Sequence, residues 1–197
     1  MKRRNFLSTL ISANLGIFVS GKPSGGFLKK SQKDVFKNGT VSVDDNIISF
    51  YLEDLDEPLK IIQVSDTHLW MDDMRGKAFS EYSQRMAGAY NSVKHFRTGE
   101  DTDPQKSFGE VLEIAVKKNA DLLAMTGDIF SFPSEAAIEW LYNKVNSAGI
   151  PYLYTAGNHD WHYEGMEGSR QELRKVWTEK RLKPLYQGNN PLMASYI

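Results

Sequence analysis

The sequence predicts an α/β fold with a parallel sheet at its centre. Short apolar runs at residues 60–64, 122–126 and 152–155 have the length and the β-branched or aromatic content of buried strands. Amphipathic stretches of helical period separate them, with short connections. The order β-α-β-α-β is most economically folded as a parallel sheet with right-handed crossovers. Each run also leads into a polar motif, and open α/β sheets bind ligands beyond the carboxyl ends of their strands.

The composition limits the chemistry that the chain can perform. Its 197 residues fit one domain or part of a larger protein, and 41% hydrophobic residues are enough to form a core. The chain has no cysteine, which excludes thiolate metal sites, disulfides and a cysteine nucleophile and leaves oxygen and imidazole ligands for any metal. The formal charge of -1, without a basic stripe, argues against nucleic acid as the main partner.

Residues 1–21 predict an export signal peptide. A basic cluster precedes an apolar run of roughly 13 residues, too short for a stable membrane anchor but typical of a signal peptide. Its Arg3-Arg4-x-Phe6-Leu7 pattern resembles a twin-arginine signal, so we expect the bacterial twin-arginine export machinery as a partner and a periplasmic or extracellular location. An ordinary secretion signal and a basic amphipathic helix are the alternatives. Cleavage is expected near residues 19–21.

A linker and a β-hairpin are predicted between the signal and the first core strand. Residues 22–38 are rich in glycine, serine and lysine, as linkers are. The domain, at 39–197, is expected to begin with the hairpin, because β-rich runs at 40–43 and 47–52 flank a polar turn. We expect the hairpin to add antiparallel strands beside the strand at 60–64.

Residues 69–102 predict a helical insertion after the first core strand. Within it, a helix is expected over 79–96, because the apolar residues have helical spacing at Tyr82, Met86, Ala89, Tyr90 and Val93. We favour a helix that packs on the body of the domain. The alternative is a cap that shapes substrate access, since the segment directly follows a polar motif. His95 and Arg97 are expected to be solvated.

The remaining helices have recognisable ends. Asp103-Pro104 predicts an N-cap with proline in the first turn, Ser134 predicts the next start, and Gly149 its end. Ser169 and Glu172 have the spacing of a capping box. The side chains expected to face the core are Phe108, Val111, Leu112, Ala115 and Val116, then Ile138, Leu141, Tyr142 and Val145, then Leu173, Val176 and Trp177. Leu185-Tyr186, a turn at 188–191 and residues 192–197 predict a final β-hairpin, and the chain ends within its second strand.

The polar motifs that follow the three core strands predict a metal site. Asp66-x-His68 follows the first, Gly127-Asp128 the second and Gly157-Asn158-His159-Asp160 the third. Asp66 and His68 can hold one divalent cation, Asp128 can bridge two, and Asn158 can bind the second through its carbonyl oxygen. His159 is then placed to act on a substrate. Two ions about 3.5–4 Å apart clamp the oxygens of a phosphoryl displacement and lower the pKa of bound water.

These three motifs, in this order and each after a strand, resemble those of the calcineurin-like metallophosphoesterase family. The resemblance implies that the chain is the first half of a four-layer α/β/β/α sandwich. It also implies a phosphomonoesterase or phosphodiesterase that acts on a small phosphorylated substrate with two divalent ions (Mn, Fe, Zn or Mg) and metal-bound hydroxide. By the same resemblance, Asp66, His68, Asp128 and Asn158 bind metal. His159 stabilises the transition state or protonates the leaving group, and Asp160 orients His159.

The chain departs from the family pattern after the third motif. The family takes further histidine ligands from its second half, whereas this sequence has no histidine after His162. We therefore expect a metallophosphoesterase domain that is incomplete at its C-terminal end, as a fragment of a longer enzyme or as a truncated, inactive remnant. A single-metal hydrolase is a third alternative. His162 has no counterpart in the family and is expected to be solvated.

Overall fold

The computed structural model describes residues 17–20, 41–52, 58–90, 93–95 and 97–186. Among these residues, no helix has both the length and the apolar character needed to cross a membrane. The strands are β1 Ile17–Ser20, β2 Val41–Asp44, β3 Ile47–Tyr51, β4 Leu59–Val64, β5 Val93–Lys94, β6 Asp101–Thr102, β7 Leu122–Thr126 and β8 Tyr152–Thr155. The α-helices are α1 Ser80–Tyr90, α2 Pro104–Lys117, α3 Glu135–Ala148 and α4 Arg170–Trp177. A 3-10 helix, Met74–Phe79, precedes α1, and a π-helical turn, Thr178–Leu182, and a 3-10 helix, Lys183–Tyr186, follow α4.

The centre of the fold is a mixed sheet in which the three predicted core strands are parallel, as expected. The six-stranded sheet has the order β2-β3-β1-β4-β7-β8, in which β4, β7 and β8 are parallel neighbours. Ile61 lies opposite Leu122, and Leu123 opposite Tyr152. The helices α2 and α3 connect these strands and contact each other through the rings of Phe108 and Trp140, 6.1 Å apart. This β-α-β-α-β unit brings the carboxyl ends of the three core strands to one edge.

One face of the sheet supplies the core. Alternate side chains on β4 and β7, including Val64 and Leu123, are almost fully buried in one cluster with Phe108 and Leu141 of the helices. The intervening side chains are more exposed, and Leu153 on β8 is 52% exposed. This alternation is the period of two that a strand with one covered face requires.

The predicted helix starts are confirmed. The side chain of Asp103 accepts from the Lys106 amide at 2.7 Å, and that of Ser134 from the Ala137 amide at 3.0 Å. Ser169 and Glu172 form the capping box, and Gly149 ends α3 with a φ of 68°, in the left-handed region. The predicted apolar faces were too wide, because one residue at the margin of each is exposed to solvent: Val116, Tyr142 and Val176.

The predicted hairpin is confirmed, but its expected neighbour was wrong. The strands β2 and β3 pair antiparallel, with Val43 opposite Ile48. The strand β1 lies between β3 and β4, parallel to β3 and antiparallel to β4. The strand β1 falls within residues 1–21, where a signal peptide is predicted. Nothing in the structure tests that signal peptide, so it stays a prediction. The predicted linker at 22–38 lies outside the described residues.

The insertion is helical for less of its length than predicted. The helix α1 ends at Tyr90, and Val93 lies instead in β5, which pairs with β6. Of the predicted stripe, Met86 is buried and Ala89 exposed. His95, expected to be solvated, is partly buried, and its Nε2 lies 3.1 Å from a carboxylate oxygen of Glu110. Arg97, in contrast, is exposed.

The end of the described chain also differs from the prediction. Leu185 and Tyr186, expected to start a β-hairpin, are buried in the last 3-10 helix. The centroids of the Tyr186 and Tyr154 rings lie 5.2 Å apart, so apolar packing against β8 accompanies the helical conformation here. The rest of the predicted hairpin, at 187–197, lies outside the described residues.

Replacing Ser134 by alanine is expected to lower the free energy of unfolding by about 2 kcal/mol. The buried hydroxyl caps α3 and also donates to the carbonyl oxygen of Met71 in the insertion, so the variant loses a cap and a tertiary hydrogen bond. Urea denaturation measures the change. Ser147→Ala, on the exposed part of the same helix, is the control and is expected to change stability by less than about 0.5 kcal/mol. Equal effects of both substitutions would contradict this role of Ser134.

Candidate metal centre

The loops after β4 and β7 run side by side beyond the strands. The Asp66 amide donates to the Gly127 carbonyl oxygen at 3.0 Å, and the His68 amide to the Asp128 carbonyl oxygen at 3.1 Å. Leu69 then forms a parallel bridge with Phe130. The parallel pairing of the strands therefore continues into the loops that carry the first two polar motifs, and it fixes their relative register.

Asp66, His68 and Asp128 converge on one point at this edge. A single ligand atom from each can be chosen so that all three lie within 4.8 Å of one another, and all three residues are half-buried. Two carboxylates and an imidazole suit divalent ions such as Mn, Fe or Zn. These residues, brought together from two separate strand ends, form a candidate metal site.

All three of these residues have left-handed backbone conformations. The φ angles are 54° at Asp66, 48° at His68 and 49° at Asp128. For a residue with a side chain, this region costs roughly 1–2 kcal/mol. Such conformations persist where the surrounding contacts enforce them, and they cluster at functional sites.

Two glycines allow the loops to approach each other closely. A Cβ atom on Gly127, whose φ is 100°, would lie 3.2 Å from Cα of Gly157. A Cβ atom on Gly157 would lie 2.2 Å from Oδ1 of Asp128. The glycines of the second and third motifs are therefore required by packing, since any side chain at Gly157 would displace Asp128.

His159 is positioned next to the triad from the third strand end. Its backbone amide donates to Oδ1 of Asp128 at 3.0 Å, and its ring meets that of His68 edge-on, with centroids 4.9 Å apart. Burial is the largest reason that the pKa of His68 is lowered, and the nearby His159 lowers it further, while Asp128 and Asp66 raise it. The predicted proximity of His159 to His68 and Asp128 is thus present, while the roles of these residues stay predictions.

Asn158 and Asp160 flank His159 in different environments. The side chain of Asn158 is exposed, and its binding to a second ion stays a prediction. Asp160 is fully buried, and its two oxygens accept from the amides of Phe130 at 2.6 Å and Gly157 at 2.8 Å. Burial raises the pKa of this carboxyl to about 8, against the two amides that lower it. Asp160 therefore ties the second loop to the third; its predicted effect on the orientation of His159 stays a prediction.

Two hydroxyl groups that the sequence did not indicate also hold the site. The Thr67 hydroxyl donates to the Ile129 carbonyl oxygen at 2.9 Å, and the Ser131 hydroxyl donates to the His68 carbonyl oxygen at 2.8 Å. Thr67 lies within the first motif and Ser131 three residues after Asp128, where loops ordinarily carry small polar side chains. Proximity to a motif was the only available signal.

The sequence model of the calcineurin-like phosphoesterase family matches residues 59–193, from the start of β4 to beyond the described residues. The chain belongs to this family. The calcineurin-like phosphoesterase fold explains why the three motifs occur at one sheet edge, and the family predicted from those motifs is confirmed. The donor set of Asp66, His68 and Asp128 fits the divalent metals that such a phosphoesterase employs.

Two curated relatives share part of this calcineurin-like phosphoesterase sequence. A probable cyclic nucleotide phosphodiesterase of Moraxella catarrhalis is 29% identical over 130 residues, which cover 64% of this chain and 38% of the relative. The DNA double-strand break repair protein Mre11 of Sulfurisphaera tokodaii is 31% identical over 106 residues, which cover 51% of this chain and 22% of the relative. The chain thus matches well under half the length of either protein.

Proposed function

We propose that this chain forms the catalytic edge of a metal-dependent phosphodiesterase. The observation that carries the proposal is the convergence of the ligand atoms of Asp66, His68 and Asp128 within 4.8 Å, next to the ring of His159. Carboxylates and imidazoles collected at the carboxyl edge of a parallel sheet provide a site for a cation and leave the space above it open to a substrate.

The residues divide into those that hold ions and those that act on the substrate. Asp66 and His68 would hold the first ion, Asp128 would be shared between two, and Asn158 would offer its carbonyl oxygen to the second. Divalent ions supply Lewis-acid stabilisation of the phosphoryl oxygens and lower the pKa of water. The sequence resemblance supports the pair of ions, and the triad supports the first of them.

His159 would act on the oxygen that leaves the phosphorus. Its amide is anchored to Asp128 at 3.0 Å, so its backbone position is tied to a metal ligand. An imidazole so placed can donate a proton to a departing alkoxide or stabilise its charge. Asp160 fixes the turn that carries His159 through the Gly157 amide at 2.8 Å.

Phosphodiesters are favoured over phosphomonoesters by the relatives. One is described as a probable cyclic nucleotide phosphodiesterase, and the other acts in the repair of DNA breaks. Cyclic nucleotides and DNA both contain phosphodiester linkages. The second relative also favours a nucleic acid as substrate, although the net charge of -1 argues against extended nucleic-acid binding. Export through the twin-arginine machinery to the periplasm remains part of the proposal, on the strength of residues 1–21.

Metal removal tests this function. We expect the purified chain to hydrolyse bis-p-nitrophenyl phosphate with Mn²⁺, to lose the activity on treatment with a chelator, and to regain it when Mn²⁺ is restored. Hydrolysis of p-nitrophenyl phosphate is expected to be slower. The same assays on a longer form that includes further histidine ligands would separate an incomplete site from a wrong assignment. Metal-independent hydrolysis, or inactivity of both forms, would contradict the proposal.

A further inference from the structure

His162 follows the third motif and is half-buried, although a solvated side chain was expected. Its backbone amide donates to the His159 carbonyl oxygen at 3.3 Å, so it follows His159 across a tight turn. Its side chain is half-buried, and its ring lies tilted against that of Trp161, with centroids 5.9 Å apart. Three of the four histidines of the chain, His68, His159 and His162, therefore follow one another at one edge of the sheet.

The segment that carries His162 is rigidly held. The next residue, Tyr163, is fully buried, and its ring stacks on those of Phe79 at 5.1 Å and Phe132 at 5.7 Å. The amide of Glu164 then contacts the sulfur of Met86 on α1 at 3.2 Å. When the backbone is already fixed, less conformational entropy is lost as the side chain contacts a ligand. Residues that recognise substrates benefit from this low cost.

Three neighbouring residues, His159, Glu164 and Arg170, affect the electrostatics of His162. Burial lowers the pKa of His162 below its ordinary value, the neighbouring His159 and Arg170 lower it further, and Glu164 raises it. Arg170, the first residue of α4, is exposed. His162 therefore offers an imidazole that can donate a hydrogen bond, and Arg170 a cation that remains available to solvent.

We propose that His162, supported by Arg170, is a substrate-recognition residue that contacts the leaving group of the phosphodiester and favours one with a negative charge of its own. The inference rests on the proposed function, because it takes His159 as the residue that acts on the leaving oxygen. A leaving group with its own phosphate, such as a nucleotide at the end of an oligonucleotide, has the required charge. The leaving oxygen of a cyclic nucleotide carries no such additional group.

The test is ligand binding to the full chain observed by NMR, which does not require turnover. Labelled histidine rings give four signals. Mg²⁺ is expected to shift the signal of His68. Thymidine 3′,5′-bisphosphate carries one phosphate for the metal site and a second for His162 and Arg170. It is then expected to shift the signal of His162, whereas inorganic phosphate leaves that signal nearly unchanged. The signal of His95, which pairs with Glu110, is the internal control and should stay in place throughout.

Variants measure the energetic contribution. His162→Ala and Arg170→Ala are each expected to weaken binding of the bisphosphate about tenfold while leaving the affinities for Mg²⁺ and inorganic phosphate unchanged. His162→Gln, which keeps a donor, should retain part of the affinity, and His95→Gln all of it. If Mg²⁺ shifts the signal of His68 but the bisphosphate does not shift that of His162, this inference alone is overturned. A His68 signal that ignores Mg²⁺ would overturn the proposed function and this inference with it.

Discussion

Asp128→Asn is expected to lower kcat/KM for bis-p-nitrophenyl phosphate by about 10³-fold, because in the proposed function Asp128 is a charged ligand shared by two ions and its loss removes several kcal/mol of transition-state stabilisation. The fold should survive. In the parent chain the His159 amide donates to Oδ1 of Asp128 at 3.0 Å, and the side-chain oxygen of the asparagine can accept the same bond. Removing one of two neighbouring carboxylates also relieves repulsion with Asp66 in the absence of metal. We therefore expect the metal-free variant to be at least as stable as the parent while binding Mn²⁺ about 100-fold more weakly.

Asp121→Asn is the matched control for this substitution. Asp121 lies at the opposite end of β7, where its Oδ2 accepts from the Lys60 amide at 2.7 Å, a role that the oxygen of asparagine can keep. Mn²⁺ affinity by calorimetry and activity in the same assay should equal those of the parent chain. If Asp128→Asn kept full activity, or if both variants lost it equally, Asp128 would not be a metal ligand.

Gly157→Ala is expected to damage the site without touching any ligand chemically. The added Cβ atom would lie 2.2 Å from Oδ1 and 2.4 Å from the backbone nitrogen of Asp128, so the carboxylate and its loop must move. Overpacking of this kind costs roughly 1–3 kcal/mol of stability. Because Asp128 is displaced, we also expect Mn²⁺ affinity to fall by at least about tenfold. Urea denaturation measures the loss of stability and calorimetry measures the loss of Mn²⁺ affinity, so the two effects can be separated on one sample.

A second glycine provides the opposite expectation. A Cβ atom on Gly109, in α2, meets nothing within 4 Å, so Gly109→Ala is expected to stabilise the chain by about 0.5–1 kcal/mol and to leave metal affinity unchanged. The pair separates close packing at the site from a general intolerance of larger residues. Equal Mn²⁺ affinity in Gly157→Ala and the parent would show that the third loop can yield without moving Asp128.

The features that could be predicted from the sequence have local causes. The ends of α2 and α3 follow from side chains such as Asp103 and Ser134, which satisfy amides within the next turn. The core strands follow from short apolar runs. Their parallel order follows from the helices between them, and it placed Asp66, His68 and Asp128 at one edge before any coordinates were known.

The features that could not be predicted depend on contacts between distant parts of the chain. No local pattern indicates that β1 separates β3 from β4, because that choice is made by backbone pairing across the sheet. The end of α1 before Val93 results from the pairing of β5 with β6, which competes with helical spacing. Within the site, Asp160 accepts from the amide of Phe130 in the second loop as well as from that of Gly157 in its own motif, and no local pattern indicated the first of these contacts.

The left-handed conformations at Asp66, His68 and Asp128 bear on which substitutions this protein can accumulate. Glycine and asparagine occupy that region more readily than most residues do. Replacement of Asp66 or Asp128 by either would relax the backbone while removing a carboxylate from the candidate cation site. Chains substituted at these positions should therefore remain well folded, and stability screens are expected to score them above the parent chain. Only a direct assay of the bound ion or of turnover would tell the two apart.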